Sequence, residues 1–224
     1  RDSAVAASEA WLEMPSVRYG YVPADPRLKG LLLSIFMHGG FMHLIGNMIF
    51  LALAGPVVET YWRRSVYFTF FIVAGMAGCF AHQFANPTSA VPLVGASGAI
   101  SALLGAFVVG FPNQSIRLFY FILFFFRPIF GKVFLPAWLT IGAWIAMQAF
   151  DVYLGVDDGV AYWAHIGGFG LGAGLGWFMR HNSLLQTPPA DELVVNARDP
   201  DSIPETPARM IPKNHFRPPT RSRR

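Results

Sequence analysis

An all-α fold, built as a polytopic bundle of membrane-spanning helices, is what this sequence predicts. Three observations carry that expectation. Hydrophobic residues make up 54% of the 224-residue chain and charged residues only 13%, with a mean hydropathy of +0.42. Soluble domains carry about 25% charged residues, so the apolar surface here exceeds what one water-soluble core could bury. Five apolar runs fill the gaps between charges, at 34–58, 66–85, 92–111, 133–153 and 160–179, each near the roughly 20 residues that cross a bilayer as a helix. The loops between them also alternate in charge, as the positive-inside bias requires.

Residues 1–33 mix polar and apolar types, contain Pro15, Pro23 and Pro26, and read as an extracytoplasmic first loop. Arg63 and Arg64 follow the first run, Arg117, Arg127 and Lys132 separate the third from the fourth, and Arg180 follows the fifth. These segments are assigned to the cytoplasm. The connection after the second run is uncharged and the one after the fourth is acidic, with Asp157 and Asp158, so both are assigned outward. An odd number of spans follows, with the core at 34–180. The tail at 181–224 is rich in proline and charge; it lacks the apolar surface to offset ordering entropy and is expected to be disordered in the cytoplasm.

The stretch "RLFYFILFFFRPIF" at 117–130 is apolar but short and bounded by arginines. It reads as an interfacial or partly buried segment, not a span. A single cysteine, Cys79, excludes an intrachain disulfide. The pI near 9.5 comes from loops and tail without a basic face interleaved with aromatics, which speaks against a nucleic-acid partner. The chain begins at Arg1 without a signal-peptide pattern in its first thirty residues and reads as a fragment or a processed form.

Polar groups at membrane depth are costly and usually face a bundle interior or a water-filled cavity. His43 and Asn47, four apart in the first span, share one helix face. Taken alone they are equally read as interhelical glue. Gly98, Ala102, Ala106 and Gly110 form a small-residue ridge on the third span, and Gly168, Gly172 and Gly176 form one on the fifth. Ridges of this kind allow close backbone approach, so the two spans are expected to be neighbours. His165 projects from the second ridge, three residues before Gly168. With the assigned orientation, Ser97, His165, His43 and Asn47 all fall in the outer half of the membrane.

The third run is also short: a helix from Gly95 to Phe111 spans about 25 Å, less than the roughly 30 Å apolar core. Its start is therefore expected below the outer surface, with unpaired N–H groups aimed into a site suited to negative charge. A serine hydroxyl needs an adjacent base to become a nucleophile, and histidine is the usual one. Attack on an amide creates an oxyanion that needs preset donors. Ser97 and His165 fit nucleophile and base; the Ser97 N–H, His43 and Asn47 fit the donors. No acid is placed to orient His165, because Asp157 and Asp158 lie outside and Glu59 sits at the opposite end of the first span. A Ser–His dyad is therefore expected, reached by water through an outward dip bordered by His38 and Ser101.

The stretches "FMHGGFMHLIGNMIFL", "GPVVE", "GASGAISALLGAF" and "AYWAHIGGFGLG" together resemble the rhomboid family of intramembrane serine proteases, in order and in spacing. "YGYVPAD" and "PAWLTIGAWIAMQ" are similar to bacterial-type members. The resemblance implies a nucleophile at Ser97, a base at His165 and oxyanion donors at His43 and Asn47. Gly95 is implied to shape the serine turn, with Gly98, Gly168 and His38 in support. It further implies cleavage of other transmembrane proteins near the outer face of the bilayer, without cofactor, metal or nucleotide, and the motif style points to a bacterial inner membrane.

Three departures from the family's pattern are visible. The family's first core span has no counterpart here, Lys29 and Gly30 stand where many members carry Trp-Arg, and Ser101 replaces an aromatic that in some members stacks on the histidine. With Ser101 there, His165 is expected to be held by other contacts. The competing readings are a catalytically silent relative that binds transmembrane helices and a transporter using the same polar groups. The absence of internal repeats speaks against the transporter. His82 and Gln83 read as interfacial, and Glu59 as a partner of Arg63 or Arg64. The histidines lack the H-E-x-x-H pattern of a zinc site.

Overall fold

The computed structural model describes residues 13–124, 127–182 and 184; the expected disordered tail lies outside the described residues. The chain runs through α1 (Pro15–Tyr19), α2 (Leu28–Leu33) and a 3-10 turn (Ser34–Phe36) into α3 (Phe41–Tyr61), α4 (Arg64–Ala85) and α5 (Ser97–Gly110). A hairpin of β1 (Ser115–Phe124) and β2 (Arg127–Pro136) follows, then α6 (Ala137–Leu154) and α7 (Tyr162–His181). Five helices thus occupy the five apolar runs, with shifted boundaries. The first run begins as the 3-10 turn and an extended segment through Met37, so α3 starts only at Phe41, after Gly39 and Gly40. The fourth helix starts after Pro136, whose ring suits a helix start and not an interior. α3 and α4 are each long and apolar enough to cross a membrane.

α5 is the hub. Eleven of its fourteen residues are buried, against three to five in each of α3, α4, α6 and α7. A helix apolar on all sides is stable only when surrounded. The outer helices turn large apolar side chains outward, among them Ile49, Phe68, Phe84, Met147 and Trp177, an arrangement suited to lipid. Where lipid replaces water, tails solvate leucine as well as a neighbouring helix does, so association relies on close packing of small residues.

The α5–α7 seam meets that requirement as the ridges predicted. A Cβ at Gly168 would run into the Gly98 carbonyl oxygen, one at Gly172 into that of Ala102, and one at Gly176 would lie 2.9 Å from Ala106 Cα. The two ridges therefore mesh turn by turn. Gly110, the last member of the α5 ridge, has open space around it.

The segment before α3 caps the end of this bundle at which α5 begins. Tyr21 pairs with Leu93 through two backbone hydrogen bonds of 3.0 and 2.8 Å, and Gly95 N–H donates to Ser34 O at 2.8 Å. The buried Tyr21 ring sends its hydroxyl to Gln83 Oε1. Gly30 packs directly on the Gly20 carbonyl. Glu59 pairs with Arg64 at 3.5 Å, an exposed contact.

The 117–130 segment, expected as an interfacial piece, takes the form of a hairpin. β1 and β2 pair antiparallel from Ser115↔Pro136 to Phe124↔Arg127, and residues 133–136, assigned above to the fourth span, belong to β2. Phe, Ile and Tyr favour strands, while Pro128 and Pro136 bar helix continuation on the return strand.

At the other end of α6, Gly155 (φ 66°) closes the helix in the left-handed conformation that favours glycine. Asp158 then organises the loop. Its carboxylate accepts from Val160 N–H at 3.0 Å and from the Tyr162 hydroxyl at 2.8 Å, and these donors, the Val160 amide foremost, hold its pKa below the usual carboxylate value.

Two predictions follow from this packing. Gly172→Leu should lower the thermal midpoint in detergent, by on the order of 3 kcal/mol of stability, since the blocking atoms are backbone. Gly170→Ala on the same helix, where a Cβ meets open space, should leave stability unchanged or raise it by up to about 1 kcal/mol. Because the Asp158 carboxyl is more acidic folded than unfolded, its contribution is present at neutral pH and lost as pH falls below about 4. Hydrogen-exchange protection at the Val160 amide should collapse over that range, and Asp158→Asn should remove the pH dependence.

Candidate active site

The turn into α5 places the serine. Gly95 adopts φ +121°, a conformation L side chains rarely take. A Cβ there would also stand 2.8 Å from His43 Cε1, 2.9 Å from His43 Nε2 and 3.6 Å from Asn47 Nδ2. Conformation and space thus both call for glycine. Ser97 is the first residue of α5, so its N–H has no acceptor one turn back and sits at the positive end of the helix.

α3 brings the two donors to the same turn. Asn47 is buried and gives one amide hydrogen to the His43 carbonyl at 3.0 Å, leaving its second free. His43 accepts Gly39 N–H at Nδ1, at 3.2 Å. The neutral ring then carries its proton on Nε2, on the ring edge that faces Gly95. His38 lies edge-on to His43, with ring centroids 5.4 Å apart. It is not among the residues that line the cavity beside His43.

α7 brings His165 through the glycine seam, with Gly168 against Gly98 just behind it. The Ser101 hydroxyl donates to the His165 carbonyl at 2.6 Å. The residue standing where an aromatic would stack therefore ties α5 to the backbone of α7. The ring itself is held from α6: Gln148 Oε1 lies 2.6 Å from His165 Nδ1, and the Trp144 ring stands 5.9 Å away, centroid to centroid. Asp158, occupied within its own loop, takes no part.

Ser97, His165, His43 and Asn47 all line one cavity of about 960 Å³, together with Ser101 and Trp144. Its volume is at the upper end of the range typical of ligand sites, enough for several residues of an extended peptide. His82, read as interfacial, also lines it, with a buried Nδ1 that has no hydrogen-bond partner among the described residues. The sequence reading singled out neither Trp144 nor Gln148. The available signal was an amide four residues after a tryptophan inside a mostly apolar helix, two groups on one face.

The chain is similar in sequence to known proteins. The family model described as the Rhomboid domain matches residues 26–182. Similar relatives are "Rhomboid protein 1, mitochondrial" of Saccharomyces cerevisiae, 30% identical over 65% of this chain and 40% of its own length, and "Rhomboid-like protease 5" of Toxoplasma gondii, 30% identical over 60% of this chain and 14% of its own. "RHOMBOID-like protein 5" of Arabidopsis thaliana is 34% identical over 34% of this chain and 25% of its own length. The chain thus spans less than half the length of these relatives. All three are eukaryotic, so they lend no support to the bacterial affinity expected from motif style. The family match extends from the outer cap to the end of α7, over most of the chain, and on that ground this chain belongs to the rhomboid family of membrane proteins.

Proposed function

We propose that this chain is an intramembrane serine endopeptidase that hydrolyses peptide bonds in or beside transmembrane helices of other membrane proteins. The observation that carries this reading is the convergence of Ser97, His165, His43 and Asn47 on one cavity at the start of α5. Ser97 Oγ attacks the scissile carbonyl carbon while His165 Nε2 takes the hydroxyl proton. The resulting oxyanion accepts from the Ser97 N–H, the free hydrogen of Asn47 Nδ2 and His43 Nε2–H. Collapse breaks the C–N bond, and the amine leaves with the proton held by His165. Water, deprotonated by the same imidazole, then attacks the acyl-enzyme and releases the carboxylate product.

A substrate helix hides its backbone, since in lipid every polar backbone group is bonded internally. Cleavage therefore requires local unwinding, and segments weakened by glycine or proline, with small side chains at the cut, are the favoured substrates. The loop charges support an orientation in which residues 1–33 form an outer loop, 34–180 the membrane core, and the tail lies in the cytoplasm. The cavity then opens toward the extracytoplasmic side.

Three measurements test this reading. A serine-directed fluorophosphonate should label Ser97, and both labelling and cleavage of a model transmembrane substrate should vanish in Ser97→Ala. His165→Ala should abolish cleavage too. Cleavage that survives both changes, or an unaltered protein that binds substrate helices without cutting them, would favour a silent helix-binding relative. Asn47→Ala should lower kcat by about a hundredfold or more with little effect on KM, as loss of one oxyanion donor does.

A further inference from the structure

The proposed reaction asks opposite things of two histidines. His43 must donate from Nε2, whereas His165 must accept a proton there. A neutral imidazole holds one N–H, and the partner of one ring nitrogen decides the state of the other. His43 has its answer in Gly39 N–H, which occupies the Nδ1 lone pair at 3.2 Å. For His165 the contact at Nδ1 is the carbonyl oxygen of Gln148, at 2.6 Å. An oxygen there accepts a hydrogen, so the proton sits on Nδ1 and the Nε2 lone pair is left for the serine. An amide NH₂ in its place would force the reverse, with a ring unable to take the Ser97 proton.

From this geometry we infer that Gln148 is a positioning residue that completes a Ser97–His165–Gln148 arrangement; the inference rests on His165 being the base of the proposed protease. Gln148 is 8% exposed on an apolar helix. A buried amide costs stability unless bonded, and packing alone would be served by methionine or leucine. Trp144, one turn earlier on α6, stands beside the same ring at 5.9 Å, so α6 fixes the imidazole both by contact and by a hydrogen bond. A neutral amide also suits this depth better than a carboxylate, because it orients the ring without placing a charge in the membrane. Soluble cysteine proteases that orient their histidine with an asparagine amide use the same chemistry on unrelated folds.

The test uses the full chain in detergent and in liposomes with a model transmembrane substrate. Gln148→Met, close in size but without an acceptor at that point, should lower kcat by on the order of a hundredfold with KM within about twofold and an unchanged thermal midpoint. Gln148→Glu, which keeps an oxygen facing Nδ1, should recover most of the loss. In protein labelled with [15N]histidine, the His165 ring, assigned by its disappearance in His165→Ala, should show a protonated Nδ1 and a bare Nε2. Gln148→Met should give a mixture of the two tautomers. Unaltered kcat and an unaltered nitrogen spectrum in Gln148→Met would overturn this role while leaving the protease reading intact. An unaltered chain that neither cleaves nor is labelled at Ser97 would overturn the protease reading itself, and this role with it.

Discussion

The contact on which the rest of the structure depends is the backbone-to-backbone seam between α5 and α7. Gly168, Gly172 and Gly176 leave no room for even a methyl group against Gly98, Ala102 and Ala106. In a lipid-facing bundle, burying leucine confers little, so dispersion between closely packed backbones is the main source of cohesion available. The same closeness positions the chemistry. Ser97 begins one helix and His165 sits three residues before Gly168 on the other. A seam opened by the width of a side chain would draw the hydroxyl and the imidazole apart before either residue had changed.

Around that seam, hydrogen bonds fix the groups that packing alone would leave free to rotate. Ser34 O holds the Gly95 amide, and Ser101 ties its hydroxyl to the His165 carbonyl. Gly39 and Gln148 each fill the Nδ1 position of one histidine, with opposite polarity. The two imidazoles thus differ in what they can do although they are the same residue type. Each partner comes from a different part of the fold: the extended segment before α3 for His43, and α6 for His165. The outer cap and α6 are therefore parts of the site as much as parts of the scaffold.

The small-residue ridges and the shared face of His43 and Asn47 were legible in the sequence because each depends only on spacing along one helix. So did the start of a short helix at Ser97, which follows from a glycine-rich turn ahead of an apolar run too brief to cross the bilayer. These local patterns determined which groups could meet, and together with the charge alternation they determined a helical bundle with five principal helices.

Tertiary structure decided what lay between elements. Gln148 reaches His165 only because α6 is rotated to turn that face inward, and helix rotation is set by neighbours, not by the periodicity of α6 itself. Gly39 holds His43 only because the helix does not begin until Phe41, seven residues after the point where hydropathy placed its start. The hairpin at Ser115–Pro136 likewise depends on pairing between two successive strands, which a run of apolar residues does not encode by itself. Spacing within an element is written in its own residues, whereas the direction a side chain finally points is a property of everything packed around it.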